Sequence, residues 1–462
     1  LRFFIVQPAA SLYPAAVFRV LFPRPFMEIP LSSDTNNETN TRTIALRIFS
    51  NVHRQHQPLD AALSLDAGWK SLAVRDRAFA RLLATHTLRH HGQCSLLIKG
   101  CLTHPDQPLN EDIHDILCLG ITQILFAGVP AHAAVNSTVD LAPEKFRPLV
   151  NAILRRIGRD KMPIPPASAN FPGWMMSMLR KDWGDKAEDI AKASTNEAPL
   201  DISVKENPEE WATKLEATLL PTGTLRKTKA GLIPDLPGHT EGAWWVQDLA
   251  ASLPVRLMGN LKGKRIFDLC AAPGGKTAQL ASRGANVIAI DRTPKRVALL
   301  ENTLSRLGLS AETVCADAGL WTTGELADAV LLDAPCSSIG TIRRHPDILH
   351  LKQPTDIPHF VTIQAHLLAH AAELVRPGGY LVYCTCSMLK DESELQVARF
   401  LENHKDFKRL PVLAGEIGGL AEAITPEGDV RTLPFMMKEA GGIDGFYIAR
   451  LKKTVSPPTK PA

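Results

Sequence analysis

Two short segments of the chain end alike: Asp333-Ala-Pro-Cys336-Ser and Tyr383-Cys-Thr-Cys386-Ser. Each follows an apolar run, which puts its cysteine at the carboxyl end of a buried strand. A thiolate in such a position suits nucleophilic covalent catalysis. Methylation of carbon 5 of cytosine is one reaction that requires it. That carbon is barely nucleophilic until a thiolate adds to carbon 6 and turns the ring into an enamine. After methyl transfer the carbon 5 proton must leave and the thiol must be eliminated, so two cysteines at adjacent strand ends can divide the work. Free cysteines are often buried small hydrophobes, and Cys270, Cys315 and Cys384 are read that way. The Pro or Thr before and the Ser after set Cys336 and Cys386 apart.

The cofactor is read from a turn and three acids. Lys264-Arg-Ile-Phe267 starts as a short buried strand, and Thr277 to Ala285 has helical spacing. Between them lies Asp268-Leu-Cys270-Ala271-Ala272-Pro273-Gly274-Gly275-Lys276-Thr277. Small residues before a helix N-terminus let a nucleotide-like ligand approach backbone amides. The turn lacks the GxGxxG of a dehydrogenase. It also misses the P-loop pattern, because Cys270 stands where the first glycine belongs. Asp291 ends the next apolar run, where a carboxylate can take both ribose hydroxyls. Asp317 follows the third, where it can accept from an adenine amino group, and Asp333 ends the fourth. A single Asp at a strand end is usually a turn or cap residue; three in register with the turn weaken that reading. A ribose and an adenine without a phosphate requirement describe S-adenosylmethionine.

These residues need an open α/β sheet beneath them. From Lys264 onward strands and helices alternate: strands at 286–290, 312–315, 329–332 and 380–383, helices at 294–307, 357–375 and 392–400. Such alternation predicts a doubly wound, mostly parallel sheet with its site along the carboxyl edge. The tail from Gly441 to Leu451 is expected to close the sheet as an antiparallel edge hairpin. Ahead of the sheet, Gln247 and Asp248 either line the ligand site or cap the following helix.

The first half reads differently. From Thr41 to about Lys161 the apolar stripes are helical (Ile44, Ala45, Ile48, Phe49; Ile113, Ile116, Leu117; Leu149, Ile153, Leu154), which predicts a helical bundle. Between Arg42 and Lys161 there are 15 Lys/Arg and 10 Asp/Glu, and 8 of the 15 histidines. Arg75-Asp-Arg77, Arg89-His-His91 and Asn151 to Arg156 are therefore candidates for a basic RNA-facing surface. Pro163-Ile-Pro-Pro166 marks a boundary, followed to about Gly238 by a mixed α/β stretch. The expected division is 1–40, 41–162, 166–238 and 239–453. Residues 1–40, without an acid before Met27, read as a non-native start or a targeting segment followed by a disordered run. The net charge of +4 is mild, no apolar run is long enough to span a bilayer, and the eight cysteines follow neither a secreted framework nor a zinc-finger spacing. The expectation is a cytoplasmic protein with no metal and no membrane contact.

Two resemblances sharpen this. Ile121-Thr-Gln123, Val129-Pro-Ala-His132 to Asn136, and Asn151-Ala-Ile-Leu-Arg155 resemble a NusB-type RNA-binding helical domain. The Asp268–Lys276, Asp333-Ala-Pro-Cys336-Ser and Thr385-Cys386-Ser segments resemble the motifs of the NOL/NOP/Sun family of RNA 5-methylcytosine methyltransferases. The resemblance implies a class I, Rossmann-like S-adenosylmethionine-dependent methyltransferase domain preceded by an all-α NusB-like domain and a small α/β lead-in module. It makes Cys386 the nucleophile and Cys336 the residue that promotes product release. Cys270, Ala271, Ala272, Pro273, Gly274, Gly275, Lys276, Asp291, Asp317 and Asp333 become cofactor positions. Asp333 also contacts the cytosine, and Lys276 helps to hold the target base. The implied substrate is 16S rRNA, free or in a partly assembled small subunit, acted on by a monomer in rRNA processing. The alternatives are the same chemistry on tRNA or 23S rRNA, and a non-catalytic RNA-binding assembly factor.

Overall fold

The computed structural model describes residues 41–160, 162–228 and 231–455; the expectation for residues 1–40 lies outside them. Between 41 and 160 every long element is helical: α1 (Thr41–Gln55), α2 (Leu59–Leu65), α3 (Val74–Cys101), α4 (Glu111–Leu125), α5 (Ala131–Val139) and α6 (Arg147–Asp160). Ile44, Ala45, Ile48, Phe49 and Val52 of α1 are fully buried, and Val150, Ile153, Leu154 and Ile157 of α6 are nearly so. This 3-4 spacing puts one stripe of each helix into a shared core. The start of α4 is fixed by Asn110, whose side chain accepts from the backbone N–H groups of Asp112 and Ile113. Glu111 and Asp112 in its first turn complement the helix dipole.

A small antiparallel sheet follows, built from β1 (Leu200–Val204), β2 (Thr218–Leu219), β3 (Leu225–Lys227) and β4 (Trp244–Val246) in the order β2-β3-β1-β4. Its last strand lies past the boundary read at Gly238, because β4 pairs with β1 through Ile202, Ser203 and Val204. Two tryptophans and a valine give β4 strand character, but its three residues are too few to show alternation. The buried Asp201 carboxylate takes Arg226 Nε at 2.7 Å and Nη2 at 2.6 Å, and also accepts from the Leu249 N–H at 3.0 Å. Asp248 caps the next helix through the Ala250 N–H at 2.7 Å. Gln247 is buried, accepting from Ser203 and Trp245 and donating to Gln279. Capping and packing, rather than ligand contact, account for both.

The main sheet comprises β5 (Arg265–Leu269), β6 (Asn286–Asp291), β7 (Glu312–Cys315), β8 (Ala327–Asp333), β9 (Val375–Thr385), β10 (Phe407–Arg409), β11 (Val430–Thr432) and β12 (Phe446–Lys453). Its order is β10-β12-β9-β8-β5-β6-β7, with β11 also on β12. Strands β5 to β9 are mutually parallel. Ile266 and Val382 face one apolar core, and Phe267, Leu269, Leu381 and Tyr383 the other, as the period-2 side-chain alternation of strands requires. The tail departs from expectation. Strand β12 is antiparallel to β9 as predicted, but it is interior, with β10 and β11 on its far side. Phe446 to Leu451 are all buried or nearly so. The covering strands have three residues each, too short to announce themselves in the sequence.

The helical domain docks through α3. Gln93 donates to Pro165 O at 2.6 Å, its N–H donates to Asn170 Oδ1 at 2.9 Å, and Arg89 Nη2 donates to Arg343 O at 2.9 Å. Arg89 is 2% exposed and His90 9%, so Arg89-His-His91 is not a free RNA-facing surface. These polar residues occupy the seam between domains, where sequence reasoning mistakes them for solvated ones. Arg75, Arg155 and Arg156 are exposed. The approach at the seam requires Gly92, where a Cβ would fall 1.8 Å from Ala169 O. Gly92→Ala is expected to destabilise the docked domain by about 1–3 kcal/mol through overpacking. A lower thermal midpoint and faster proteolysis near residues 161–166 would report it.

Candidate active site

The parallel register of β8 and β9 sets Asp333 opposite Cys384. The segments leaving the two strands therefore run side by side. Ala334 N–H donates to Cys384 O at 2.9 Å and Gly340 N–H donates to Cys386 O at 2.9 Å. This brings Cys336 Sγ to 3.4 Å from Cys386 Sγ. Cys336 is buried and Cys386 partly exposed. The hydrogen bond from Cys336 holds the Cys386 thiol below its ordinary value against the opposing effect of burial. The same bond, and then burial, push Cys336 well up. The pair is thus biased so that Cys386 gives up its proton more readily than Cys336. Cys386 Sγ donates to Ser338 Oγ at 3.5 Å, and this contact also lowers the thiol.

Lys276 connects this pair to the turn. It is the second residue of the helix Gly275–Ser282, and its Nζ donates to Asp333 Oδ2 at 2.7 Å. Burial opposes its charge, but the Asp333 carboxylate and the nearby thiols raise the ammonium above its ordinary value. Cys384 Sγ donates to the other oxygen, Asp333 Oδ1, at 3.4 Å. In the turn, Ala271 and Ala272 are buried, Pro273 is exposed and Cys270 has φ +62°. Gly274 has φ +102°, and a Cβ there would lie 2.6 Å from Leu300 Cδ1, so both backbone and space demand glycine. Gly275 differs, because a Cβ there would make only ordinary contacts beyond 3.7 Å. Nothing in the protein itself requires glycine at that position.

The remaining acids surround the turn. Asp291 is 3% exposed. Its Oδ2 accepts the Ala272 N–H at 3.0 Å, and its Oδ1 accepts the Arg292 N–H at 2.9 Å and Arg296 Nε at 2.8 Å. Asp317 is exposed at the end of β7, its Oδ1 accepting the Gly319 N–H at 2.9 Å. Asp268 lies beneath the turn with Oδ2 taking Thr277 Oγ1 at 2.6 Å and Oδ1 unpartnered. Burial pushes its carboxyl up to about 7. The turn, Asp291 and Asp333 are thus linked by direct hydrogen bonds, while Asp317 stands apart on the rim. A small-residue turn, a helix N-terminus and successive strand-end acids fit a nucleoside-bearing cofactor such as S-adenosylmethionine.

One residue central to the site was not predicted. Glu392 is fully buried. Its Oε1 accepts the Ser337 N–H at 2.8 Å and Gln364 Nε2 at 3.1 Å, and its Oε2 accepts Ser337 Oγ and Ser387 Oγ, both at 2.5 Å. Each serine follows one of the two cysteines, so a single carboxylate clamps both loops. The sequence holds only a weak signal for it: two Cys-Ser pairs, followed by three acids, Asp391, Glu392 and Glu394, none of which stands out before Phe400.

A parallel sheet with a nucleoside-type turn and strand-end acids, carrying a helical domain in front, defines an S-adenosylmethionine-dependent RNA methyltransferase. The family described as 16S rRNA methyltransferase RsmB/F matches residues 256–452, and the NusB family matches residues 39–159. Ribosomal RNA small subunit methyltransferase B of Erwinia tasmaniensis is 32% identical over 90% of this chain and 99% of its own length. The protein of the same name from Vibrio cholerae is 32% identical over 84% and 92%. The crystal structure of PH0851 shares the fold, with a TM-score of 0.68 at 24% identity over 89% of this chain and 98% of that one. The chain belongs to the ribosomal RNA small subunit methyltransferase B family, and it is an enzyme. Among the described residues no helix is long and apolar enough to cross a membrane.

Glu392→Ala is expected to free both cysteine loops. It should lower stability by roughly 3 kcal/mol, because several buried donors lose a charged acceptor. Glu392→Gln should retain the fold, reduce kcat about tenfold and leave cofactor affinity unchanged. Thermal melts, single-turnover methylation and calorimetric titration separate these effects.

Proposed function

We propose that this enzyme methylates carbon 5 of a cytosine in 16S rRNA through a covalent adduct with Cys386, and that Cys336 releases the product. The observation that carries the reading is the polarised cysteine pair, with 3.4 Å between sulfurs, beside Asp333 and Lys276. Cys270 to Lys276, Asp291 and Asp317 would hold S-adenosylmethionine, with Asp291 on the ribose hydroxyls and Asp317 on the adenine amino group. S-adenosylmethionine supplies an electrophilic methyl group on its sulfonium.

The Cys386 thiolate adds to carbon 6 of the ring, forming the S–C6 bond and leaving carbon 5 nucleophilic. Asp333 orients the ring through its amino group, while Lys276 neutralises the carboxylate and limits its repulsion of the incoming thiolate. Once carbon 5 is methylated, its proton must leave so that the C5–C6 double bond re-forms and the Cys386 thiolate departs. Cys336 suits that step. Alkylation of Cys386 removes the charge that holds Cys336 protonated, so Cys336 becomes able to lose its own proton to solvent and take the one on carbon 5.

In this reading the NusB-like helical domain binds rRNA with its exposed face, which carries Arg155 and Arg156, and the enzyme works as a cytoplasmic monomer. The names of the relatives favour small-subunit rRNA over tRNA or 23S rRNA.

Incubated with S-adenosylmethionine and a 16S rRNA transcript, Cys336→Ala is expected to run as an RNA-linked band on a denaturing gel. Wild type and Cys386→Ala should not. A shifted band from Cys386→Ala instead would reverse the two roles. Asp291→Ala should weaken S-adenosylmethionine binding at least tenfold by calorimetry, since it loses both the proposed ribose contact and the bond to Ala272.

A further inference from the structure

Away from the active site, three histidines distant in sequence meet at the seam between the helical and methyltransferase domains. His53 comes from α1, His91 from α3, and His350 from the short helix Ile348–Leu351 of the methyltransferase domain. One ring nitrogen of each lies within 4.8 Å of the other two. The rings of His53 and His91 are 4.0 Å apart between centroids, and that of His350 is 5.1 Å from His53 and 5.5 Å from His91.

The hydrogen bonds fix what these nitrogens offer. His350 Nε2 lies 2.9 Å from Leu88 O. A carbonyl only accepts, so Nε2 carries the ring proton, and in the neutral ring Nδ1 presents a lone pair. That lone pair accepts from His53 Nδ1 at 3.1 Å, a proton that a bound cation would displace. A metal-binding imidazole usually has its other nitrogen anchored in this way on a backbone carbonyl. His91 supplies an independent observation. Its Nε2 is buried with no hydrogen-bond partner. An unsatisfied buried nitrogen costs roughly 1–3 kcal/mol, and coordination would remove that cost.

The spacing suits one cation in particular. Nitrogens at about 2.0–2.1 Å from a tetrahedral zinc ion are about 3.3 Å from one another, close to the 3.1 Å between His53 and His350. Imidazole donors suit Zn²⁺, whereas Mg²⁺ and Ca²⁺ prefer oxygen. We propose that His53, His91 and His350 form a zinc site that fastens α1 and α3 of the helical domain to the methyltransferase domain, with a water as fourth ligand. This departs from the metal-free expectation of the sequence. The ligands come from three elements, so no ligand spacing could announce them.

The test is calorimetric titration of the untagged full-length chain with zinc chloride, on wild type, His53→Asn, His350→Gln and Cys386→Ala. Wild type and Cys386→Ala are expected to bind one Zn²⁺ per chain with Kd below about 1 µM. Each histidine variant should bind at least thirtyfold more weakly. Zinc should raise the thermal midpoint of wild type and leave that of His53→Asn unmoved. His53 is the outermost of the three, so this variant keeps the test meaningful should His350→Gln fail to fold. Absence of stoichiometric binding to wild type would overturn the proposal. So would binding indifferent to His53→Asn, or binding lost in Cys386→Ala, which would move the ion to the active-site thiols.

Discussion

The register between β8 and β9 is the constraint on which the site depends. With Asp333 opposite Cys384, the two loops leave the sheet at one level, and the third residue of one and the second of the other come within thiol contact. A slip of one residue would turn each side chain to the opposite face of the sheet. Two devices outside the strands hold the loops once they have left it. Backbone bonds tie Ala334 to Cys384 and Gly340 to Cys386, and Glu392 gathers the two serines. A fully buried carboxylate is expensive unless its acceptor sites are filled, and here both oxygens are used twice. The chemistry of the cysteines therefore rests on an acid that never touches them.

The electrostatics of the site follow from who is paired with whom. Lys276, Asp333 and Cys384 form a chain in which the carboxylate is balanced by an ammonium on one side and engaged by a thiol on the other. The bond from Cys336 lowers the Cys386 thiol most; burial and Asp333 oppose it, Ser338 and Lys276 add to it, and Cys386 is held low. The turn supplies Lys276, so the element that reads as a cofactor cradle also contributes to the charge balance around Cys386. This explains why a P-loop-like Lys-Thr pair occurs where no phosphate is needed: Lys276 serves Asp333, and Thr277 bonds Asp268.

Much of this was legible from the sequence, for physical reasons that differ by element. Parallel strands buried on both faces announce themselves as apolar runs ending in Asp291 or Asp333, and the helix at 294–307 carries its own signals in the Thr293 cap and Gly308. Cys336 and Cys386 stood out because their flanks are wrong for ordinary core cysteines. Glu392 could not be read, because its partners come from two loops and a helix. Strands β10 and β11 are shorter than any period, so β12 looked like an edge. Arg89-His-His91 was misread because a seam between domains is polar in sequence and buried in space.

That seam bears on how the two halves act together. The segment that carries Cys336 continues through the turn at Ile339–Thr341 to Arg343 and Arg344, and then to the helix holding His350. Arg343 O accepts from Arg89, His350 bonds Leu88 O, and Asp347 Oδ2 accepts the Leu59 N–H at 3.1 Å. Arg344 reaches the other way, to Asp248 at 2.7 Å and Asp444 at 2.9 Å. The helical domain therefore grips the same stretch of chain that presents one of the two cysteines. Any loosening of its docking must be transmitted along roughly a dozen residues whose own polar groups are already committed to both domains. Its position is thus part of what keeps the Cys336 loop in place.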